Sequence, residues 1–478
     1  MRLKPLFFIL FTVLTIPVFA KKTDLPDVGY WKTDNQGLPS FVYTGELPNV
    51  VIRPDGKPAN LPDDPYFLLG NYRMTVFAHA SGIYEFISGE REWARINSGD
   101  TINSGENLAT IEFLGADGTV SKQVPLVGTQ TVAADRVASQ KTFGCGYADY
   151  KYKLEGLDVE RKLQVAPSTK YDNGLSAMLL TVTLKNTGRK PVALRYTEQV
   201  RANYKPCFYQ RSGVNPLSYH PEYKVEGSVV RCDVKVTAPD PLMIPQKDKM
   251  TLYDGYPPTL YIKSLTDSKM SYDGKGNISA ATEINLRKGE TKSFTYIVGY
   301  TFEPEQIATL SAADFSTTWK SVLPDFSNEP DAVLGRELTW HAYTLEAMAT
   351  YSQYYKETKI PQGMVYDYYR GTHAAARDNY QHAMPLIYYN PELCKSVMRY
   401  MSQRVTPVGD IRLIEYGYGY SDNMQYNTSD QQLFFFQLMA EYLRVTGDVD
   451  FLKEEICYFP AEAGVKATML EVLEKCFT

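Results

Sequence analysis

The stretch AVLGRELTWHAYTLEAMATYSQYY, residues 332–355, marks the point where the chain changes from strand-like to helix-like patterning. The residues that recur in it at helical intervals are Leu334, Leu338, His341, Leu345 and Met348. This spacing predicts a long helix with one buried stripe. A chain that becomes helical only at this point is predicted to have a β part followed by an α part.

Toward the carboxyl end, four more helical segments follow, at residues 373–388, 391–404, 431–446 and 463–475. Such a run is typical of a ring of helix pairs, so residues 331–478 are predicted to form the first half of an (α/α)6 barrel. A half-ring exposes an apolar wall, and we expect a homodimer partner or a complementing downstream fragment to cover it. The polar loop at residues 409–429, rich in Gly and Tyr, is long enough to be functional.

Toward the amino end, residues 21–300 carry strand signals. The segment 159–165 alternates, and the segments 177–184 and 192–196 flank Asn186-Thr187-Gly188, which predicts a hairpin whose turn needs positive φ. Together these signals predict a large antiparallel β-sandwich of two sheets. A helical linker over residues 301–330 begins near Pro304 and is interrupted at Pro324.

The first twenty residues have the features of a signal peptide. Arg2 and Lys4 precede an apolar stretch, and small residues end it before Lys21. The stretch is too short to span a bilayer unaided, and no second one of spanning length follows. We therefore expect removal of residues 1–20 and export, most simply to a periplasm.

Composition excludes several classes of function. The 478 residues carry a net charge of -5 and no Lys/Arg-rich run, so nucleic acid is not an expected partner. The six cysteines are widely spread and the five histidines lack zinc-helix spacing, which predicts no metal site and no catalytic cysteine. The 37 tyrosines suit both β-sheets and sugar-stacking clefts.

Several short motifs resemble one family of enzymes. The motifs are Gly146-Tyr147, the segments 165–167 and 183–187, Arg377-Asp378-Asn379-Tyr380-Gln381, the segment 390–393, Gly409-Asp410, Ser429-Asp430 and the segment 440–448. In order and spacing they resemble the cellobiose phosphorylase-like proteins of glycoside hydrolase family 94, also described as glycosyltransferase 36-type. The resemblance implies a carbohydrate-active protein of the inverting phosphorylase or hydrolase kind, acting on β-linked gluco-oligosaccharides. It implies no cofactor, with inorganic phosphate as co-substrate of a phosphorylase.

The resemblance also implies sugar-binding residues. Arg377, Asp378, Gln381 and Asp430 match positions at the family's sugar pocket, and Tyr416 and Tyr418 would form a stacking wall. An ordinary ion pair at a helix start and a solvent-covered tyrosine loop are the alternative interpretations. The chain departs from the family pattern at Ala376, His382 and Gln431, which favours a different sugar or linkage.

The catalytic acid of the family lies in a loop after a helix like that of residues 463–475, and the sequence ends before such a loop. No catalytic residue is therefore assigned, although Asp378, Glu415 and Asp422 are candidates, and we expect the chain alone to be inactive. Two other functions stay open: a non-catalytic carbohydrate-binding protein, and a complete inverting hydrolase of another (α/α)6 family.

Overall fold

The computed structural model describes residues 28–44, 65–89, 94–98, 105–127, 138–204, 218–237, 257–363, 374–417, 420–422 and 430–477. The predicted signal peptide, residues 1–20, lies outside these ranges. None of the helices in the described ranges combines the length and the apolar character needed to cross a membrane.

Strands dominate the described residues before residue 302. In chain order they are β1 (Gly29–Thr33), β2 (Pro39–Tyr43), β3 (Tyr66–Gly70), β4 (Thr75–His79), β5 (Tyr84–Ser88), β6 (Ala94–Arg95), β7 (Asn107–Leu114), β8 (Val120–Val127), β9 (Ala138–Gly144), β10 (Tyr147–Leu154), β11 (Leu157–Gln164), β12 (Ala177–Asn186), β13 (Val192–Arg201), β14 (Ser218–Glu226), β15 (Val229–Thr237), β16 (Thr259–Ser264), β17 (Lys269–Tyr272), β18 (Asn277–Leu286) and β19 (Thr291–Thr301).

These strands form three antiparallel sheets. The largest has the order β1-β2-β9-β10-β11-β12-β19-β16-β15-β14, the second β17-β18-β13-β7-β8, and the third β3-β4-β5-β6. Strand β11 shows the period of two expected for a strand with one face in the core, because its residues are alternately buried and half-buried. The core therefore lies between the sheets, as in a sandwich.

The hairpin predicted across Asn186-Thr187-Gly188 is wrong. Strand β12 pairs with β11 and β19, whereas β13 pairs with β18 and β7 in the second sheet. The Asn186 side chain donates to the carbonyls of Lys190 and Leu286, at 2.8 and 3.2 Å. These bonds hold the turn in a form that carries the chain from one sheet to the other. Gly188 does not have the positive φ that was predicted for the turn.

The linker is less regular than predicted. Instead of one helical connector it contains three short 3-10 helices, Pro304–Thr309, Ala312–Phe315 and Trp319–Ser321. Trp319 fastens the last of them to the sandwich, because its indole Nε1 donates to the Val165 carbonyl at 3.0 Å. Gly146 makes this contact possible, since a Cβ there would lie 1.9 Å from that nitrogen.

The helical part contains five α-helices in the described ranges. They are α1 (Ala332–Met348), α2 (Ala376–Ala383), α3 (Pro391–Ser402), α4 (Gln431–Thr446) and α5 (Met469–Lys475). Short strands lie between them: β20 (Thr350–Ser352), β21 (Glu357–Lys359), β22 (Ala374–Ala375), β23 (Ile414–Gly417), β24 (Tyr420–Asp422), β25 (Glu455–Cys457) and β26 (Lys466–Thr468). The predicted bounds of α4 are confirmed, and α3 ends two residues early. Helix α1 is shorter than predicted and is followed by β20, and α5 begins only after β26. Helix α2 is shorter at both ends, where β22 precedes it and a 3-10 turn at Pro385–Tyr388 follows it.

The predicted buried stripe of α1 is confirmed only at its end, where Met348 is buried. Leu334 and Leu338 are 45% and 37% exposed, whereas Tyr343 and Ala347 are fully buried. The helix packs on β3, where the Tyr343 hydroxyl donates to the Leu68 carbonyl at 2.8 Å. The Trp340 and Tyr343 rings both stack on the Phe67 ring of β3, so large aromatic side chains form the contact face.

Candidate functional site

Helices α2 and α4 begin side by side, and their first turns bring two predicted site residues together. Arg377 lies in the first turn of α2, and Asp430 is the N-cap residue of α4. The Arg377 Nη1 atom lies 3.2 Å from Asp430 Oδ2, and the two side chains are 56% and 40% exposed. The pair is thus accessible to a ligand.

A buried layer beneath the pair fixes the two helices. The Tyr380 ring stacks on the Phe435 ring with centroids 5.2 Å apart, and both side chains are fully buried. Asn379 donates to the Ala375 carbonyl at 2.8 Å and accepts from the Ile360 amide at 2.9 Å. The helix starts are therefore held by their inner faces, which leaves their outer faces available for binding.

A small sheet brings the predicted functional loop to this position. Strand β22 pairs with β23, and β23 pairs with β24. The Ala376 amide donates to the Leu413 carbonyl at 3.1 Å, at the junction of the sheet with α2. Part of the segment 409–429 is therefore a β-ribbon next to the start of α2.

The other predicted residues fall in different places. Gln381 is exposed one turn after Arg377, and side chains four residues apart share a helix face. Asp378 is half-buried and does not face its neighbour Arg377, since adjacent helical residues diverge. Tyr416 belongs to β23, and Tyr418 lies outside the described residues.

His382, to which the sequence analysis assigned no role, lies one turn after Asp378 on the half-buried side of α2 and not on the face of Arg377. The i, i+4 spacing of Asp378 and His382 indicates that these two residues share a face. Burial lowers the pKa of the His382 imidazole below its ordinary value, and the nearby Asp378 charge opposes part of this effect. The imidazole is therefore neutral at pH 7 and able to accept or donate a hydrogen bond.

The arrangement suits recognition of hydroxyl groups. A guanidinium, a carboxylate and an amide on one accessible surface offer several donors and acceptors at fixed separation, which matches adjacent hydroxyls of a pyranose ring. Within the described ranges, no group of three His, Cys, Asp or Glu residues is placed to hold a metal ion. Cys207 lies outside those ranges, and the other five cysteines are free thiols.

Comparison with known proteins gives a match in structure alone. No family model matches the sequence, and no curated protein matches it. A solved structure named "Putative kojibiose phosphorylase from human microbiome" matches 89% of this chain at a TM-score of 0.53 and 10% identity. This chain spans 58% of the length of that structure.

Two further matches cover about half of the chain. One is a structure named as a polysaccharide lyase, at a TM-score of 0.27 and 14% identity, covering 50% of this chain and 32% of its own. The other is a galactose mutarotase-like protein from Lactobacillus casei, at a TM-score of 0.27 and 8% identity, covering 49% of this chain and 100% of its own.

The first of these matches confirms the predicted fold class, antiparallel sheets of a β-sandwich followed by a linker and a helical part. It does not show the cellobiose phosphorylase-like family that the sequence motifs resemble. The chain thus shares its fold with a protein named as a glycoside phosphorylase.

Proposed function

We propose that this chain is a carbohydrate-active protein, related to inverting glycoside phosphorylases and hydrolases, that binds a β-linked gluco-oligosaccharide where α2 and α4 begin. One observation carries the proposal. Arg377 and Asp430 are 53 residues apart in sequence, yet their side chains meet at 3.2 Å on an accessible surface. Gln381, on the same face of α2 as Arg377, supplies a further donor and acceptor.

The exposure of the pair favours ligand binding over a purely structural role. An ion pair in water stabilises a fold by only ~0–1 kcal/mol, so the two side chains can exchange their mutual contact for contacts with a sugar at little cost. Arg377 would donate to two adjacent hydroxyl oxygens and Asp430 would accept from a hydroxyl. Two-point contacts of this kind fix the orientation of a ring.

Cleavage of the glycosidic bond is a further part of the proposal, and no acid is assigned to it. Inversion requires an acid that protonates the leaving oxygen while phosphate or water attacks from the opposite face. The candidate acids predicted from the sequence are Asp378 in α2, Glu415 in β23 and Asp422 in β24. The predicted signal peptide would direct export in this proposal, and an exported protein would more readily use water as the nucleophile.

Isothermal titration calorimetry of the purified chain with cellobiose to cellopentaose, and with kojibiose, tests the proposal. We expect binding that Arg377→Ala weakens and that Arg444→Ala leaves unchanged. Arg444 is a matched control, since it lies on α4 in an exposed ion pair with Glu441. Equal affinity of the wild type and Arg377→Ala for every sugar would overturn the site.

Product analysis with and without inorganic phosphate separates the reactions. Release of a sugar phosphate only when phosphate is present identifies a phosphorylase, and release of free sugar in its absence identifies a hydrolase. Binding without either product identifies a non-catalytic sugar-binding protein.

A further inference from the structure

A groove lies across the solvent-facing side of the second sheet, on strands β7, β13, β18 and β17. Its volume is about 650 Å³, and small-molecule sites have about 300–1,000 Å³. Residues 194–201 of β13 are alternately buried and half-buried, so the side chains that form this sheet groove point away from the core. The groove is therefore large enough for a ligand and is open to solvent.

The strand register places short side chains along the floor of the groove. Thr197 of β13 lies opposite Ala281 of β18, and Ser279 of β18 lies opposite Ser271 of β17. The hydroxyl oxygens of Ser271 and Ser279 are 2.9 Å apart. Among the described residues that line the groove, Ala281 alone is apolar. The floor is therefore narrow and mostly polar.

One wall is a row of ion pairs across three strands. Arg195 lies between Glu283 of β18 and Glu112 of β7. Its Nη1 donates to Glu112 Oε2 at 3.0 Å, and its Nη2 donates to Glu283 Oε1 at 2.7 Å. These bonds fix the guanidinium between the two carboxylates. Glu112 Oε1 and Glu283 Oε2 accept none of them, so each carboxylate keeps an acceptor for a ligand.

The opposite wall is formed by the turn before β17. Ser268 fastens this turn, because its Oγ lies 2.7 Å from Ser264 Oγ and 2.7 Å from Thr282 Oγ1. Asp267 and Lys269 flank Ser268 and are both exposed. Within the part of the chain that the structure describes, their side chains make no ion pair or hydrogen bond. Both charged groups are therefore available to a ligand.

The charges of the sheet groove favour a cation over an anion. The carboxylates of Glu112, Asp267 and Glu283 line it, against two cations, Arg195 and Lys269. Two of the carboxylates already neutralise Arg195, so an anionic ligand would meet a net negative surface. A positively charged amino group can instead approach Asp267 and the unused oxygens of Glu112 and Glu283.

The rest of the lining suits a sugar. The hydroxyl groups of Thr197, Ser271 and Ser279 can each donate and accept a hydrogen bond, as the hydroxyl groups of a sugar can. A polyamine or the side chain of a basic peptide consists largely of methylene groups, which gain from contact with apolar surface. Ala281 offers little such surface, so a ligand rich in hydroxyl groups fits the groove better.

We propose that the sheet groove is a second carbohydrate site, which binds an oligosaccharide whose sugar units carry cationic amino groups, such as an oligomer of glucosamine. Its lining residues all belong to the sandwich. The inference goes beyond the proposed function, because neither the ligand nor the residues are those of the Arg377–Asp430 site.

Isothermal titration calorimetry of the full chain with glucosamine oligomers tests the proposal. The double variant Asp267→Asn/Glu283→Gln should bind them about tenfold more weakly. The control Glu155→Gln/Glu226→Gln removes the same number of charges from the sandwich outside the groove and should bind like the wild type. Glu155 is exposed, and Glu226 is 58% exposed and contacts Arg231 at 3.4 Å.

A third variant should change the affinity in the opposite direction. Lys269→Gln removes the positive charge beside the bound amino groups and should bind glucosamine oligomers about twofold more tightly. A variant that fails to fold cannot bind more tightly, so this result does not depend on intact folding of the double variant. Added salt should weaken binding to the wild type, because the attraction is between charges.

The outcomes separate this site from the one at Arg377. A loss of affinity in Asp267→Asn/Glu283→Gln that persists in an Arg377→Ala background supports the second site, whether or not Arg377→Ala changes the binding of cello-oligosaccharides. Equal affinity of the two double variants for glucosamine oligomers would overturn the proposal. Binding of glucuronic acid oligomers as tight as that of glucosamine oligomers would overturn it as well.

Discussion

Arg377 Nη1 and Asp430 Oδ2 lie 3.2 Å apart at the adjoining starts of two helices, across 53 residues of intervening chain. The contact joins two positions that the sequence motifs treat separately, and it lies on an accessible surface above a buried aromatic stack. A binding role and a structural role for this pair predict different effects of substitution, so variants of the two residues distinguish them.

Replacing Arg377 by Ala should affect binding far more than stability. We expect the free energy of unfolding to fall by less than ~1 kcal/mol, as for other exposed ion pairs. Affinity for the bound oligosaccharide should fall by about tenfold, equivalent to ~1.4 kcal/mol. Urea unfolding and calorimetry on Arg377→Ala, Asp430→Asn and the double variant measure both quantities, and a large loss of stability with unchanged affinity would show that the pair is structural.

A buried polar cluster should be essential for the sandwich. Arg161 Nη2 lies 2.9 and 3.0 Å from the two carboxylate oxygens of Glu198, with both side chains fully buried. The Tyr84 hydroxyl donates to the same carboxylate at 3.0 Å, so the cluster connects all three sheets. Removing one charge leaves the other buried and unpaired, and Arg161→Ala should cost ~3–5 kcal/mol of unfolding free energy.

Arg195→Ala is the control for this substitution. Arg195 lies on β13 near Glu198 in sequence, but its ion pairs with Glu112 and Glu283 are partly exposed. Its removal should cost only ~0–1 kcal/mol in the same urea titration. Similar losses for the two variants would contradict the role given to the buried cluster.

Glu357 should make stability depend on pH. Burial raises the pKa of its carboxyl to about 7, against the opposing effects of the Ser396 hydrogen bond and the Arg399 charge. An unfolded glutamate titrates near ~4.3, so between these values the folded chain binds more protons than the unfolded chain. The contribution of Glu357 to stability therefore falls as pH rises from about 4.3 to about 7 and is constant above that.

Glu357→Gln should remove this dependence. Between pH 5 and pH 7.5 we expect the wild type to lose on the order of 2 kcal/mol more unfolding free energy than the variant. Glu441→Gln is the control, because hydrogen bonds from Arg444 and Tyr388 lower the pKa of Glu441 to about 2, outside that range. Parallel pH profiles for wild type and Glu357→Gln would contradict the prediction.

Gly146 should not accept a side chain. Its φ is +78°, and a Cβ there would lie 1.9 Å from Trp319 Nε1. Gly118 has nearly the same φ, +77°, with nothing within 4 Å of its Cβ position. Gly118→Ala should therefore cost only the backbone strain of ~1–2 kcal/mol, whereas Gly146→Ala should cost more because Trp319 must also move. Thermal unfolding compares the stability of the two variants. Equal losses of stability would show that Trp319 moves aside without a further energetic cost.

Local patterns predicted much of this architecture. The bounds of α4 follow from its helical periodicity and from Gly447, which ends the helix with positive φ. The alternation in β11 likewise predicted a strand with one buried face. Both signals depend on neighbours within a few residues, which the sequence displays directly.

The predictions that were wrong concern strand pairing and helix orientation, which contacts between distant segments determine. Strands β12 and β13 carry correct strand signals, but their partners are chosen by the packing of two sheets and not by the short segment between them. In α1 the apolar stripe predicted the wrong face at its start, because the face that carries Trp340 and Tyr343 packs on Phe67 of β3. The partner surface that selects this face is not encoded in the periodicity of the helix alone.

The sequence by itself determined the order of β and α parts, the bounds of α4 and the identity of the polar residues in the helical part. Only the tertiary structure decided that Arg377 pairs with Asp430 instead of its neighbour Asp378, and that a groove forms across the second sheet. The physical reason is the distance along the chain over which each kind of interaction acts. Periodicity and capping act within a few residues along the chain, whereas a site requires side chains from distant segments to converge, and packing of the buried layers determines which ones do.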